Sequence, residues 1–260
     1  MILIFTIAFI LQLKRLNIMD SIPNLQAGPG ADLPWSVDDF KCHLIDSGKP
    51  AGLVLDIDET LSWTIGFWLE HMMSKFGNPE NLTIREMAEK YKLCQNVPYW
   101  QTPEIQSWMQ SMRDSAEAQT RLPLVDGALE GVRKLEELAP GIWLGYMTVR
   151  PQTVVKQTQH WLEANGFPDL PIIAKPVNVP FEDGNKWKAQ ALSKLYPHVS
   201  GIVDDNPKLS IFAGESYPGS IFLYSHQEKE ESYAPQTYPC PTWTCVVETV
   251  KEKFMNGESP

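Results

Sequence analysis

Short apolar runs alternate with amphipathic stretches along most of the chain, and the runs end abruptly at polar residues. The first run, from Ala51 to Leu55, predicts a buried strand, because no polar residue interrupts it. Later runs predict further strands of the same kind: Ile142–Met147, Leu170–Ala174, Gly201–Val203 and Ser220–Tyr224. A polar stretch, 226–241, is predicted to be a loop before a closing helix. Strands that alternate with helices predict an α/β fold, a Rossmann-like parallel sheet with helices on both faces.

The segment from Ser62 to Arg121 breaks this alternation. It is rich in Trp, Met, Gln and Glu, and Thr83 with Glu86 forms a capping-box pattern that opens a helix. We therefore predict a helical cap inserted after the first strand, which can form a lid over a site at the strand ends. The predicted parts of the chain are an N-terminal extension and linker (1–34), an α/β core (35–61 and 122–255), the cap (62–121) and a frayed tail (256–260).

Composition narrows the class of protein without identifying it. The chain has 260 residues, of which 43% are hydrophobic and 21% charged, as is ordinary for a globular protein. The net charge of −10 argues against a nonspecific nucleic-acid surface, which needs basic patches. A small phosphorylated ligand remains compatible with this net charge, because a local cluster of cations is enough to bind a phosphate group. Among the cysteines, Cys240 and Cys245 are close in sequence; free thiols are predicted, with a disulfide between them as the alternative.

The N-terminal stretch allows three interpretations. Residues 1–13 are almost wholly apolar, and Lys14 and Arg15 follow them. The stretch is short for a membrane span, and a secretory signal should carry its basic residues before the apolar run. In the first interpretation, translation starts at Met19 rather than at Met1, and the stretch is an upstream extension. In the second it is an atypical signal or anchor, and in the third it is a packed helix. We favour the first interpretation and expect a cytoplasmic protein without a membrane partner.

Two carboxylates stand at the end of the first predicted strand. Asp56 and Asp58 are two residues apart, so that in an extended segment they point to one side while Ile57 points to the other. Buried carboxylates repel each other unless a cation neutralises them, and Mg²⁺ prefers oxygen ligands. The pair predicts chemistry in which one carboxylate attacks phosphorus and the other handles a proton. Taken alone, the same tripeptide is equally typical of a helix cap, a turn or a structural ion site.

Two candidate phosphate-binding residues follow further along the chain. Thr148 ends the second predicted strand just before a helix, where a hydroxyl can bind a phosphate oxygen or cap the helix. Lys186 is predicted at the start of a later helix, where the helix dipole disfavours a cation unless an anion is bound there. We favour Lys186 as the phosphate lysine, and Lys175 and Lys188 remain as alternatives.

A second pair of acids follows the fourth predicted strand. Asp204 and Asp205 precede Asn206 and Pro207, a pattern that also suits a turn before a helix. In the functional interpretation Asp204 completes a Mg²⁺ site with Asp56 and the main-chain carbonyl of Asp58, and Asp205 acts directly or through a water. All these residues fall at strand ends or helix starts, where ligands of parallel α/β sheets bind.

These motifs, taken in order, resemble those of the haloacid dehalogenase (HAD) superfamily of phosphatases. The D-x-D-x-T element matches residues 56–60, the family's threonine matches Thr148, its lysine best matches Lys186, and its paired acids match Asp204 and Asp205. The string at 55–62, L-D-I-D-E-T-L-S, is similar to the D-I-D-E-T-L-L-S of the acid-phosphatase-like branch. The resemblance covers about residues 35–224.

The resemblance implies a mechanism. Asp56 attacks phosphorus and forms an aspartyl-phosphate. Asp58 protonates the leaving alcohol and then deprotonates the attacking water, for which its pKa must lie near the working pH. Thr148 and Lys186 bind the phosphoryl oxygens, and Mg²⁺ offsets their charge.

We expect the substrate to be a small phosphorylated metabolite, because a lid occludes large polymers. The alternatives are a protein phosphatase or polynucleotide-end phosphatase of the same fold, and a non-catalytic phosphate-binding or scaffold protein. A phosphomutase would use the same residues and differ in its products. The sequence indicates neither the particular ester nor the oligomeric state.

Overall fold

In the computed structural model, which describes residues 34–113 and 115–255, six parallel strands form one sheet in the order β3-β2-β1-β4-β5-β6. The strands are β1 Gly52–Leu55, β2 Trp143–Pro151, β3 Ile172–Lys175, β4 Val199–Asp204, β5 Ser220–Tyr224 and β6 Thr237–Cys240. The predicted α/β class with a parallel sheet is confirmed. The expectations for the N-terminal extension, the start at Met19 and the frayed tail concern residues 1–33 and 256–260, outside the described ranges.

Ten α-helices accompany the sheet in the described ranges. They are α1 Val37–Ser47, α2 Thr64–Phe76, α3 Ile84–Tyr91, α4 Pro103–Arg113, α5 Ala116–Gln119, α6 Ala128–Leu138, α7 Val155–Ala164, α8 Gly184–Leu195, α9 Pro207–Ala213 and α10 Trp243–Val250. Searched over the same residues, no helix has both the length and the apolar composition that a membrane span requires.

The core lies on both faces of the sheet, because side chains alternate along each strand. Leu53 and Leu55 of β1 point to one face, where helices α6, α7 and α10 cover them. Val54 points to the other face, which is covered by α1, α8 and α9. The central strand β1 is therefore buried on both sides, as its uninterrupted apolar sequence predicts.

The strand order reverses next to β1. Proceeding along the chain, β2 and β3 add to one side of β1, whereas β4, β5 and β6 add to the other. Such a reversal leaves a crevice outside the carboxyl ends of the two strands that flank it, and ligands bind there in open α/β sheets. Here those strands are β1 and β4, which end at the two predicted acidic clusters.

The helices α2 to α5 lie between β1 and α6 in the chain. Thr83 and Glu86 exchange hydrogen bonds at the start of α3, which confirms the predicted capping box. The segment has an apolar cluster of its own: Leu69, Met72, Met87, Cys94, Val97, Trp100 and Ile105. The boundaries of the predicted cap and its action as a lid stay predictions.

Two local expectations were wrong. Part of the predicted loop at 226–241 forms the edge strand β6, which pairs in parallel with β5. Pro239 lies in β6, and a proline fits an edge strand because the missing N–H can face away from the sheet. A β-strand containing proline gives a weak sequence signal, which is why this strand was missed. The sequence also predicts Asp126 as the N-cap residue of α6, because an aspartate precedes the apolar face of that helix. The N-cap residue is instead Gly127, in a left-handed conformation.

Candidate active site

Acidic residues meet where β1 and β4 end side by side. Asp56 directly follows β1, and its main-chain N–H donates to Val203 O at 2.9 Å, so the β1–β4 pairing extends to this residue. Asp204 is the last residue of β4. The side chains of Asp56 and Asp204 are buried, with 4% and 0% of each residue exposed. Asp205 follows, and the three carboxylates each place an oxygen within 4.8 Å of the others.

Lys188 lies between two of these carboxylates. Its Nζ is 2.8 Å from Asp56 Oδ1 and donates a hydrogen bond of 2.7 Å to Asp204 Oδ2. The residue is in α8 and is 1% exposed. Burial opposes the charge on Lys188, but Asp204 and Asp56 outweigh it and raise the pKa of the ammonium group. Lys188 is therefore a fixed cation between the predicted nucleophile and a predicted metal ligand.

The structure does not bring Lys186 to this position. Lys186 is exposed, because an α-helix turns by about 100° per residue and two residues carry the chain past half a turn. Lys175 is buried at the end of β3, where its Nζ donates to the main-chain oxygens of Pro176 and Val179. The geometry therefore favours Lys188 over Lys186 as the phosphate lysine.

Acidic groups outnumber basic ones in this crevice. Burial raises the pKa of Asp56 from 3.8 to about 7, with Lys188 opposing the shift and Asp204 adding to it. Burial also raises the pKa of Glu59 to about 8, and the neighbouring aspartates add to the shift. The pKa of Asp205 is raised well above its ordinary value by burial and by Asp204. If all of these groups were ionised, the site would carry more negative charge than its own cations neutralise.

A divalent cation fits this arrangement. Asp56 Oδ1 is buried and receives no aligned hydrogen bond from the described residues, although Lys188 is 2.8 Å away. Asp56, Asp204 and Asp205 supply only carboxylate oxygens, the ligand type that Mg²⁺ prefers. These residues could therefore hold Mg²⁺. The predicted contribution of Asp58, through its main-chain carbonyl, stays a prediction.

Asp58 has different partners from Asp56. The guanidinium of Arg150, from β2, donates two hydrogen bonds to the Asp58 carboxylate, from Nε to Oδ2 at 2.9 Å and from Nη2 to Oδ1 at 2.8 Å. Thr64, the first residue of α2, donates from Oγ1 to Asp58 Oδ1 at 2.6 Å. Burial opposes ionisation of Asp58, but Arg150 and Thr64 outweigh it and lower its pKa.

The lowered pKa departs from the expectation for a general acid. In this arrangement Asp58 is a carboxylate, ready to accept a proton from water. To protonate a leaving alcohol it must first bind a proton itself. An anionic phosphate ester that enters the crevice would favour this, because a nearby negative charge raises the pKa of a carboxyl group.

Thr148 is buried in β2, two residues before Arg150. Its Oγ1 accepts a hydrogen bond of 3.2 Å from the main-chain N–H of Arg150. Because the hydroxyl only accepts in this bond, it keeps a proton that it could donate to a ligand oxygen, although β2 continues beyond Thr148 to Pro151. The following helix, α7, begins at Val155, so Thr148 does not cap it. The role of Thr148 in phosphate binding stays a prediction.

Trp243 holds the loop after β1, and His226 holds the segment after β4. The indole Nε1 of Trp243 donates to the main-chain oxygen of Thr60 at 2.9 Å. Thr60 Oγ1 in turn donates to Asp205 Oδ1 at 3.4 Å, and His226 Nε2 donates to the main-chain oxygen of Asp205 at 2.9 Å. These contacts connect the D-x-D-x-T loop with the segment that carries Asp205.

Trp243→Phe is expected to weaken Mg²⁺ binding as well as stability. The change leaves Thr60 O without its buried donor, at a cost of about 1–3 kcal/mol in the free energy of unfolding. Trp143→Phe is the matched control, because Trp143 is similarly buried and its indole donates to Val132 O at 3.0 Å. Urea unfolding and calorimetric Mg²⁺ titration measure the two effects. An equal loss of Mg²⁺ affinity in both variants would contradict a specific role for Trp243.

Several residues at the site were missed by the sequence analysis. Arg150 stands two residues after Thr148, and this spacing in a strand places both side chains on one side of the sheet, which was a usable signal. Thr64 and Glu59 gave no such signal. Glu59 adopts a left-handed backbone φ of 56°, and its carboxylate accepts a hydrogen bond from Ile65 N at the start of α2. Its importance depends on this turn, which the sequence does not reveal.

Comparison with known proteins adds a distant structural likeness. No family model matches the sequence, and no curated protein matches it. Among solved structures, the chain is similar to a HAD-superfamily hydrolase from Ehrlichia chaffeensis, with 10% identity and a TM-score of 0.43, over 78% of this chain and 97% of that one. That protein belongs to the superfamily whose motifs this sequence resembles. The likeness is too distant to carry an argument about function, which rests below on the geometry of the site.

Proposed function

We propose that this protein is a Mg²⁺-dependent phosphatase of the HAD type, which hydrolyses phosphate monoesters through an aspartyl-phosphate on Asp56. The observation that carries the proposal is the cluster of Asp56, Asp204 and Asp205 in the crevice between β1 and β4, with Lys188 bound to the first two. A buried excess of carboxylates is costly unless it binds a cation or a cationic complex. Together with the motif order, this cluster favours phosphoryl transfer over a purely structural ion site.

Each residue has a role in the proposed reaction. Asp56 attacks phosphorus, and the bond to the leaving oxygen breaks as Asp58 supplies its proton. Lys188 holds the phosphoryl oxygens beside Asp56, and Thr148 donates to another of them. A water molecule then attacks the aspartyl-phosphate while Asp58 takes its proton. When bound, Mg²⁺ supplies charge neutralisation, which with alignment provides most of the acceleration in phosphoryl transfer.

The proposed substrate is a small phosphate ester. The cap segment begins beside the reacting groups, since Thr64 at the start of α2 contacts Asp58. Helices at this position leave room for a small molecule more readily than for a folded protein or a duplex. The net charge of −10 also disfavours a polynucleotide partner. Cytoplasmic location and the absence of a nucleic-acid or membrane partner remain part of this proposal.

Phosphate release from a panel of esters tests the proposal. The panel contains sugar phosphates, nucleoside monophosphates, a phosphoserine peptide and a 5′-phosphorylated oligonucleotide, each with Mg²⁺, with Ca²⁺ and with EDTA. We expect release from small esters that requires Mg²⁺. Release from the peptide or oligonucleotide alone would contradict the proposed substrate class. Absence of release from the whole panel would favour a phosphate-binding protein, and an isomeric phosphate ester as product would indicate a phosphomutase.

A further inference from the structure

Arg150 holds the Asp58 carboxylate in one orientation. Its Nε and Nη2 donate to separate oxygens of Asp58 at 2.9 and 2.8 Å, so the planes of guanidinium and carboxylate are fixed relative to each other. A bidentate pair of this kind adds geometric specificity that a lysine cannot supply. Rotation of the carboxylate about its last torsion would break both hydrogen bonds at once.

Arg150 is itself fixed by its surroundings. It is 5% exposed, its Nη1 donates to Thr158 Oγ1 of α7 at 3.2 Å, and its Nη2 also donates to Ser62 Oγ at 3.0 Å. The hydroxyls of Ser62 and Thr64 are 2.8 Å apart and form a hydrogen bond. The orientation of Asp58 is therefore set jointly by the sheet, by α7 and by the loop that leads into α2.

The two buried cations of the site have separate partners. Lys188 contacts Asp56 and Asp204, the predicted nucleophile and a predicted metal ligand. The guanidinium group of Arg150 is paired with Asp58, the residue proposed to transfer protons. A contact that served only to join β2 to the β1 loop would not require the arginine to engage both oxygens of this carboxylate.

We propose that Arg150 and Thr64 are positioning residues for Asp58, which they orient for proton transfer in the two halves of the phosphatase reaction. The inference rests on the proposed function. In the first half, the Asp56 oxygen forms a bond to phosphorus, the bond from phosphorus to the leaving oxygen breaks, and Asp58 delivers its proton to that oxygen. In the second half, Asp58 takes a proton from water as the water oxygen displaces Asp56 from phosphorus.

This role predicts an effect that depends on the leaving group. An alkoxide leaves only when protonated, whereas 4-nitrophenolate leaves without a proton. For the best alkyl phosphate of the panel we expect kcat/KM to fall by about 10- to 100-fold in Arg150→Lys and Arg150→Gln. This loss is a part of the roughly 10²–10⁴-fold contribution of general acid–base catalysis. For 4-nitrophenyl phosphate we expect kcat/KM to change by less than about threefold, with a burst of 4-nitrophenolate because the second half becomes slow.

Thr64→Val and Thr64→Ser are a second pair of variants, and these smaller changes should disturb folding less than the Arg150 substitutions do. Thr64→Val removes the hydrogen bond to Asp58 Oδ1 and should show the same leaving-group dependence with a smaller loss, whereas Thr64→Ser should restore the activity. Arg133→Gln is the control, because Arg133 is exposed on α6 and its Nη2 donates to Gly166 O. It should leave both substrates unaffected.

The outcomes separate this inference from the proposed function. Equal losses for both substrates in the Arg150 and Thr64 variants, without a burst, would overturn the positioning role while leaving the phosphatase intact. A wild-type protein that releases phosphate from neither ester would overturn both. If the Arg150 variants do not fold, the Thr64 pair decides: a loss confined to the alkyl ester supports the role, and an unchanged or uniform activity overturns it.

Discussion

Asp56→Asn is expected to lower Mg²⁺-dependent phosphate release by a factor on the order of 10⁴ or more, as expected when a covalent nucleophile is removed. An amide nitrogen or oxygen of asparagine at this position cannot form the proposed aspartyl-phosphate. Phosphate release measured on the best ester of the panel, together with acid-quenched labelling of the protein by ³²P, checks both the rate and the intermediate. Activity that survives in Asp56→Asn would remove Asp56 as the nucleophile.

The same variant is expected to change how stability depends on pH. In the metal-free protein the folded state holds a proton on Asp56 up to about pH 7, whereas the unfolded chain releases it near 3.8. The folded state binds more protons in this range, so the contribution of Asp56 to stability is present below the lower value and is lost as the pH rises through about 7. Asp56→Asn should flatten this part of the curve, measured by urea unfolding in EDTA.

Asp46→Asn is the matched control for both measurements, because Asp46 is exposed on α1. It should retain the activity and the pH dependence of the wild type. A metal-free wild type whose stability rises steadily between pH 4 and 7 would contradict the assigned state of Asp56. Added Mg²⁺ should stabilise the wild type more at pH 8 than at pH 5, since protons compete with the metal for the same carboxylates.

Lys188→Met is expected to lower the free energy of unfolding by about 3–5 kcal/mol in the absence of metal and at a pH above the pKa of Asp56, because it leaves two buried carboxylates without their cation. The two carboxylates belong to Asp56 and Asp204, at 2.8 and 2.7 Å from the lysine Nζ. Phosphate release should also be lost, since the proposed phosphoryl contact disappears. Chemical unfolding in EDTA and phosphate release in saturating Mg²⁺ measure the two effects separately.

Lys186→Met is the matched control, with the same substitution two residues earlier in the same helix. Lys186 is exposed, so the change in the free energy of unfolding should stay within about 0.5 kcal/mol. Phosphate release should be retained. The opposite result, a severe loss of activity in Lys186→Met with a stable and active Lys188→Met, would restore Lys186 as the phosphate lysine and contradict the assignment made from the geometry.

The lysines illustrate a limit of sequence reasoning. The sequence pattern predicts a helix that starts at Lys186, where the helix dipole favours an anion-binding lysine, but α8 begins at Gly184. Two positions that are two residues apart in an α-helix differ by about 200° around the helix axis, so when one faces the core the other faces solvent. Lys186 and Lys188 therefore have nearly opposite orientations, and only the packing of α8 against the sheet decides between them.

Arg150 illustrates a different limit. Its position beside Thr148 could be predicted from the sequence, because the side chains of residues 148 and 150 in an extended strand lie on the same face of the sheet. Its partner was not, since Asp58 is 92 residues away in the chain. A long-range ion pair of this kind depends on which strands are neighbours, and β1 and β2 pair although the helices α2 to α6 lie between them in the chain.

The sequence by itself determined the parallel α/β class, the helical character of the segment after β1 and the placement of acids at the ends of β1 and β4. These features follow from local periodicity, capping patterns and the uninterrupted apolar strands, which act over a few residues. The tertiary structure alone decided that Lys188 bridges Asp56 and Asp204, and that Arg150 and Thr64 hold Asp58. Those contacts depend on strand order and helix rotation, which are set by packing of the whole core.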